Sequence, residues 1–445
     1  MRIRKLNLKN IGPFEDGEIE FKPSEGTQEI HIFTGPNGSG KTTLLQALAI
    51  FFGSPPQNVE ALLKRMRSDY SSKIKITLED AEWSKPPGFS VNRLDLVHTI
   101  ERYSHSYYGA VEFSKLPYLP EYASTNKKEN WLPFAYNGYR VARSIPINAI
   151  QEIETGAWYD VFSEALIFDK RVLEKPNAFT INQWIANSIS KRAISKEKGK
   201  EKEASKYESA LKTLEQVISK IVGYKIEFDL QTTPLSLVAK SQNSELEFDV
   251  LPDGLRSTIS WIGDLLMRLD FFDSLRIDSP DWDQSSPINQ RRLFLFLDEI
   301  EVHLHPSWQR NILPVVKEFF PNATIFLTTH SPFVVNSVDG AWVYDLGLKD
   351  GKAFLEKTRL SKTGESYEYI LRDIFDIDTR FGVEAQKDLD LFQQLKNELL
   401  QGKPIEEEDF LTLARRLATQ SLELQSIIQF ELRQLNRIKG KSYEI

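Results

Sequence analysis

Not one of the 445 residues is a cysteine, which rules out disulfides, iron–sulfur clusters, cysteine-ligated zinc and a thiol nucleophile. A reducing cytoplasm suits such a chain. Long apolar runs are missing too. Nothing approaches the ~20 consecutive apolar residues that cross a bilayer, and the opening MRIRKLNLKNIGPF has no apolar core of signal-peptide length. The expectation is a cytoplasmic protein with no membrane contact. Positive charge is in short supply: with 56 Lys and Arg against 63 Asp and Glu, the net charge is -7. The whole-molecule field therefore repels phosphate, and any nucleic-acid contact has to come from local patches.

Two further absences narrow the function. No long heptad array runs through the chain, which excludes an extended coiled coil. The six histidines show no HNH arrangement, and Asp376-x-Asp378 and Asp388-x-Asp390 stand apart from any strand of the kind a Toprim centre needs. A nuclease centre is not evident in this chain. Any cutting of nucleic acid would fall to another subunit.

What is present is a chain with 41% hydrophobic and 27% charged residues, ordinary globular values with enough apolar content for sizeable cores. Residues 1 to 34 alternate in the manner of strands and run into GPNGSGKTT, Gly35 to Thr43, after which TTLLQALAIFF is apolar at helical spacing. Strand, glycine loop and helix in that order satisfy the full P-loop pattern. Across Gly35, Pro36, Asn37, Gly38, Ser39 and Gly40 the successive backbone N–H groups, proline excepted, would curl around a phosphate. Lys41 would reach the β- and γ-phosphates, and the Thr42 hydroxyl, followed by Thr43, would complete Mg²⁺ coordination. ATP and Mg²⁺ are the expected cofactors.

A second strand, LFLFL at Leu293 to Leu297, delivers Asp298 to its exposed end with Glu299 beside it. Asp298 would hold Mg²⁺ through water, and Glu299 would polarise the attacking water as general base. A third apolar run, ATIFLTTH, ends at His330, placed to sense the γ-phosphate. Continuous apolar strands with the helix Pro306 to Phe320 between them indicate an α/β fold with a buried sheet. His303 and His305 sit two apart without further Cys or His neighbours, too few for a metal site.

The rest of the chain frames this centre. Ile259, Ile262, Leu265, Leu266 and Leu269 recur at helical spacing. Ser190 to Lys220 is rich in Lys, Glu, Ala and Leu, and is expected to form a helical hairpin arm or an exposed helix, with a glycine and dense charge at KEKGKEKEASK that suit a mobile tip. After about residue 360 the pattern is helical to the end. The expected division is a head at 1–350, with an insertion at about 155–225, and a helical domain at 351–445.

GPNGSGKTT, the DGLRS turn at Asp253 to Ser257, LDE followed by IEVHLHP, and TTH together resemble the ABC-type ATPase superfamily, in its SMC and overcoming-lysogenization-defect branch. The resemblance covers about residues 1 to 60 and 250 to 345. It implies an ABC-type head, a mixed sheet carrying the P-loop, that dimerises head to tail. Each ATP would lie between one P-loop and the partner's signature turn, here Asp253 and Gly254. The sequence departs from the pattern at Pro252, where the family often has a serine, and offers no convincing Q-loop glutamine. The helix start after Gly254 still presents N–H groups and a positive dipole end. FAYNGYRVAR, with Tyr136, Tyr139, Arg140 and Arg143, resembles a segment near the nucleotide in related ATPases, and core packing with solvent-facing arginines explains it equally well.

The compact head, the DGLRS helix running into WIGDLLMRLD and the tail from GESYEYILRDIF resemble bacterial anti-phage ATPases of the Septu type, whose partner is an HNH nuclease. That likeness implies a homodimer or higher homo-oligomer whose nucleotide state controls a bound nuclease, with a Toprim partner the lesser expectation. The rival is a DNA-repair or chromosome-associated clamp, and a transporter subunit comes third. DNA contact would use the basic residues at Arg2, Arg4, Lys5 and Lys9, at Lys191 to Lys206, or at Arg433 to Lys441. Solvated faces balanced by glutamate are the plain account of the second group.

Overall fold

A computed structural model of the chain describes residues 2–23, 28–49, 72–79, 93–101, 110–113, 131–138, 147, 149–150, 181–242, 244–275 and 287–443. Tyr139, Arg140, Arg143 and the first part of the expected insertion lie outside the described residues. The chain opens with β1 (Arg2–Ile11), β2 (Phe14–Glu20), β3 (Ile30–Thr34) and α1 (Lys41–Ala49). Strands β4 (Ser72–Glu79), β5 (Arg93–Glu101), β6 (Ala110–Phe113) and β7 (Trp131–Tyr136) follow. Next come α2 (Ile181–Glu197), α3 (Glu201–Val222), β8 (Glu227–Thr232), β9 (Leu235–Lys240), β10 (Glu245–Glu247) and α4 (Asp253–Leu275).

The second half contains β11 (Arg292–Leu297), α5 (Pro306–Phe319), β12 (Ala323–Thr328), α6 (Pro332–Val335), β13 (Trp342–Lys349) and β14 (Lys352–Leu360). Helices α7 (Tyr367–Phe375), α8 (Val383–Leu400), α9 (Glu407–Gln420) and α10 (Leu422–Lys439) complete it.

The central sheet has the order β14-β13-β3-β12-β11-β7. Five of its strands are parallel, and β14 pairs antiparallel with β13. Strands β3 and β12 lie in its middle, and the apolar residues of both, with those of β11, are almost wholly out of solvent, as strands covered on both faces must be. Parallel strands share one carboxyl edge, so Thr34, Leu297 and Thr328 end side by side and the loops that follow them converge. An antiparallel sheet, β2-β1-β4-β5-β6, supplies Ile3, Leu6, Leu8, Ile74 and Ile76 to the core that encloses α1.

The arm expected near Ser190 to Lys220 is the helical pair α2 and α3, joined by a tight turn in which Gly199 takes a left-handed φ of 69°. Helix α3 buries Leu211, Leu214, Ile218 and Ile221, one stripe at helical spacing, and packs on α2, α4 and α5. The charged residues of the pair mostly face water or one another: Arg192 and Lys196 of α2 and Lys212 of α3 all approach Glu208.

Two compact units divide the chain, residues 1–370 and 371–445. The boundary expected at residue 350 falls inside a hairpin. Lys349 pairs with Lys352 across Asp350 and Gly351, which take φ of 51° and 71°, so 352–360 is a strand of the head sheet. The two-residue Asp-Gly turn between alternating strands is what favours a hairpin there. The second unit closes its own core around Phe392 and Phe410, stacked at 5.0 Å, with Leu417, Ile428, Leu432 and Tyr443.

Candidate functional site

The phosphate loop follows β3 directly. Gly35, Gly38 and Gly40 have φ of 130°, 85° and 89°, values a side chain resists. Space forbids one as well: a Cβ on Gly35 would lie 2.3 Å from Leu346 O, and on Gly40 2.4 Å from the Phe14 ring. Within the loop, Ser39 N donates to Pro36 O at 3.2 Å, Asn37 faces solvent, and Thr43 is buried behind Thr42.

The buried Lys41 amine turns back on its own loop, donating to Gly35 O at 2.8 Å and Pro36 O at 2.9 Å. Burial pulls its ammonium below the ordinary lysine range, opposed by Glu299, Asp298, Glu301 and Asp345, which favour the charge. Thr42 Oγ1 donates to the Asp298 carboxylate at 3.0 and 2.9 Å, joining the loop to the end of β11. Thr328 Oγ1 donates to Asp298 Oδ1 at 2.7 Å and accepts the Glu299 N–H at 2.7 Å. Asp298 N donates to Tyr136 O at 2.8 Å, fixing the same point to β7.

Glu299 turns the chain with φ of 46°, and its carboxylate passes close to Gly138, where a Cβ would sit 2.9 Å from Oε2. His330 follows β12, and its backbone N–H donates to Glu301 Oε1 at 2.5 Å. Desolvation and then the Lys41 ammonium lower the His330 pKa against Asp298, so its imidazole is neutral at pH 7.

Lys41, Thr42, Asp298, Glu299 and His330 thus form one cluster at the carboxyl edge of the sheet. Asp253 and Gly254 belong to another contact. They open α4, where a Cβ on Gly254 would meet His303 O at 2.4 Å, and Asp253 pairs with Arg256. His305 caps α5, its Nδ1 accepting from Ser307 N at 3.3 Å, so it serves the helix start. Among the described residues no group of three or more His, Cys, Asp or Glu is arranged to hold a metal.

Sequence reasoning missed Thr328, Glu301 and Gly138. Thr328 lies inside the TTH motif, where only the histidine has a role legible in sequence; Gly138 lies in FAYNGYR, for which a place near the nucleotide and plain core packing are equally good readings.

The residues fit a nucleoside triphosphate with a divalent cation. Ser39 Oγ is fully buried inside the loop without a hydrogen-bond partner among the described residues, an orphan that a phosphate oxygen would satisfy. The Thr42 hydroxyl and Asp298 carboxylate supply the hard oxygen donors that suit Mg²⁺.

Fold and site together define a P-loop ATPase of the ABC/SMC-like class. The chain belongs to the AAA ATPase domain family, whose pattern matches residues 1–335. It is similar to the Septu protein PtuA of Bacillus thuringiensis, 22% identical over 381 residues that cover 84% of each chain. It is 30% identical over 212 residues to the Escherichia coli protein named Retron Ec83 probable ATPase, covering 47% of this chain but only 36% of that one. The match to the Retron Vc95 probable ATPase of Vibrio cholerae serotype O1 biovar El Tor is 22% over 384 residues, 76% of this chain and 72% of that one.

Among solved structures, the Smc head bound to the C-terminal winged-helix domain of ScpA aligns with a TM-score of 0.45 at 13% identity, covering 81% of this chain and 98% of that one. The SMC head domain from Thermotoga maritima gives 0.38 at 14%. Among the described residues, no helix is long and apolar enough to cross a membrane.

Proposed function

We propose that the chain binds and hydrolyses ATP with Mg²⁺, and that it is the nucleotide-driven subunit of a bacterial anti-phage defence complex. The observation that carries the hydrolytic part is the hydroxyl-bridged set Thr42, Asp298, Thr328 and Glu299. Gly35 to Thr43 hold the phosphates; Thr42 and Asp298 hold the cation, which when bound neutralises charge building on the phosphate oxygens. Lys41 exchanges its two backbone carbonyls for phosphate oxygens. Glu299, aimed by its left-handed backbone and flanked by Gly138, orients the attacking water and takes its proton. His330 donates one N–H to the γ-phosphate.

The defence role draws support from the likeness to the Septu and retron proteins. On this reading two or more copies associate when ATP is bound, Asp253 and Gly254 of one completing the site of another, and the assembly controls an HNH nuclease or, less favoured, a Toprim partner. The helix start at Asp253 supplies N–H donors to an incoming γ-phosphate despite Pro252.

A DNA clamp is the alternative reading. One of its three candidate contacts is the basic arm of α2 and α3, where Glu208 already partners Arg192, Lys196 and Lys212. The test is to purify the chain with the products of adjacent genes, then measure Mg-dependent ATP hydrolysis and mass in each nucleotide state. A co-purifying nuclease and an ATP-dependent dimer support the proposal; DNA-stimulated turnover with no nuclease partner favours the clamp.

A further inference from the structure

The turn that leaves β11, Glu299 to Leu304, reaches two places at once. Its first residue is the candidate base, and its far side carries His303 O, which fills the space in front of Gly254. The turn is knit internally by Val302 N to Glu299 O at 3.1 Å and Leu304 N to Glu301 O at 2.9 Å, with His303 at φ of 65°. A second turn, Thr329 to Ser331, holds His330. Ser331 N donates to Thr329 Oγ1 at 3.0 Å, and Ser331 Oγ caps α6 by accepting from Phe333 N and Val334 N at 3.1 and 3.3 Å.

One side chain from α5 bridges them. Gln309 Nε2 donates to Leu304 O at 2.8 Å, and Gln309 Oε1 accepts from Ser331 Oγ at 2.6 Å. The chemistry of both ends dictates an amide. Leu304 O can only accept, so it needs a donor. Ser331 Oγ has already accepted two backbone N–H groups, so its own proton needs an acceptor. A carboxylate offers no donor and an ammonium no acceptor, and a flipped amide would set oxygen against oxygen at Leu304. The His330 N–H bond to Glu301 Oε1 at 2.5 Å runs parallel to this bridge.

We propose that Gln309 is a positioning residue for ATP hydrolysis: it makes the His330 turn and the Glu299 to Leu304 turn move as one piece, so that a push on Gly254 is felt at the γ-phosphate side of the site. The inference rests on the hydrolytic reading above. It adds to that reading a coupling route that bypasses the P-loop. Misplacing a reacting group by about 1 Å can cost about a hundredfold in rate, so a strut that holds two turns in register need not touch nucleotide to govern turnover.

The experiment compares full-length wild type with Gln309→Ala, Gln309→Glu, Ser331→Ala and the Gln309→Ala/Ser331→Ala pair. Affinity for a fluorescent ATP analogue, kcat and melting temperature are measured for each. Gln309→Glu keeps the side-chain volume and an acceptor for Ser331 but sets a carboxylate oxygen against Leu304 O in place of the donor, which separates the strut from simple packing. The expected result is a kcat reduced by about tenfold or more in both Gln309 variants, nucleotide affinity within about twofold of wild type, and a double variant no slower than the slower single one.

Unchanged kcat in folded Gln309→Glu overturns the proposal, as does a loss of kcat matched by an equal loss of affinity or by a collapse in melting temperature across all variants. If wild type binds MgATP and never hydrolyses it, the hydrolytic reading itself falls and takes the strut with it. That outcome is seen in the wild-type control before any variant is measured.

Discussion

Thr328 stands between the two acidic residues of the site, donating to Asp298 and accepting from Glu299 N, each at 2.7 Å. Valine has nearly its shape and lacks the hydroxyl. Thr328→Val leaves a buried carboxylate oxygen and an N–H without that partner, at a cost of roughly 1–3 kcal/mol. It should lower kcat more than nucleotide affinity in a steady-state assay paired with a binding titration. Lys41→Ala should abolish ATP binding in the same titration. Glu299→Gln should bind ATP, fail to turn it over and accumulate as the closed dimer by light scattering; normal turnover would remove Glu299 from the base role.

Away from the site, His31 is wholly buried, with Nδ1 at 3.2 Å from Tyr344 Oη, its ring stacked on Phe326, and Glu29 and Arg4 as its charged neighbours. Burial holds it below the ordinary histidine range, against Glu29. The unfolded chain takes up a proton as pH falls through that range and the folded chain does not, so stability is full above it and declines below. The fall in melting temperature between about pH 7.5 and about pH 5.5 should be smaller in His31→Gln than in wild type.

At the scale of elements, the meeting of α4 with the turn after β11 depends on a missing methyl group. Gly254→Ala puts a Cβ 2.4 Å from His303 O, a backbone atom that cannot swing aside. The helix start and the turn must separate. Thermal melting should register a loss of about 1–3 kcal/mol, with reduced kcat alongside it.

This is also where sequence and structure part company. The P-loop, Asp298, Glu299 and the buried strands were legible because a short contiguous pattern carries each: LFLFL has the length and continuous apolar character of a strand covered on both sides, and glycines at fixed offsets bend the loop. Thr328, Glu301 and Gln309 act across 29, 29 and 22 residues of chain. Pairings at such separation depend on which loops the sheet order brings together, and no local spacing encodes them. Strand β14 was missed because its alternation is broken by charge, although Asp350 and Gly351 mark the turn that makes it.

At the scale of the whole chain, the two compact units keep separate cores. Residues 371–445 draw theirs chiefly from α8, α9 and α10, with Tyr443 added from beyond α10, around the Phe392 and Phe410 stack. Phe410→Ala should destabilise that unit by about 3–5 kcal/mol. Calorimetry should show one transition moving while ATP affinity stays at the wild-type value; a drop in affinity would mean that the second unit shapes the nucleotide site.

The turn between α2 and α3 has a meaning for descent rather than for chemistry. Gly199 faces open space, with nothing within 4 Å of where a side chain would begin. Residues added there in matched pairs would lengthen both helices by about 1.5 Å per residue, and every atom around Lys41 and Asp298 would stay where it is. A lineage could therefore grow this stub into a long lever, or trim a lever back to a stub, through small insertions and deletions that selection on ATP turnover would not see.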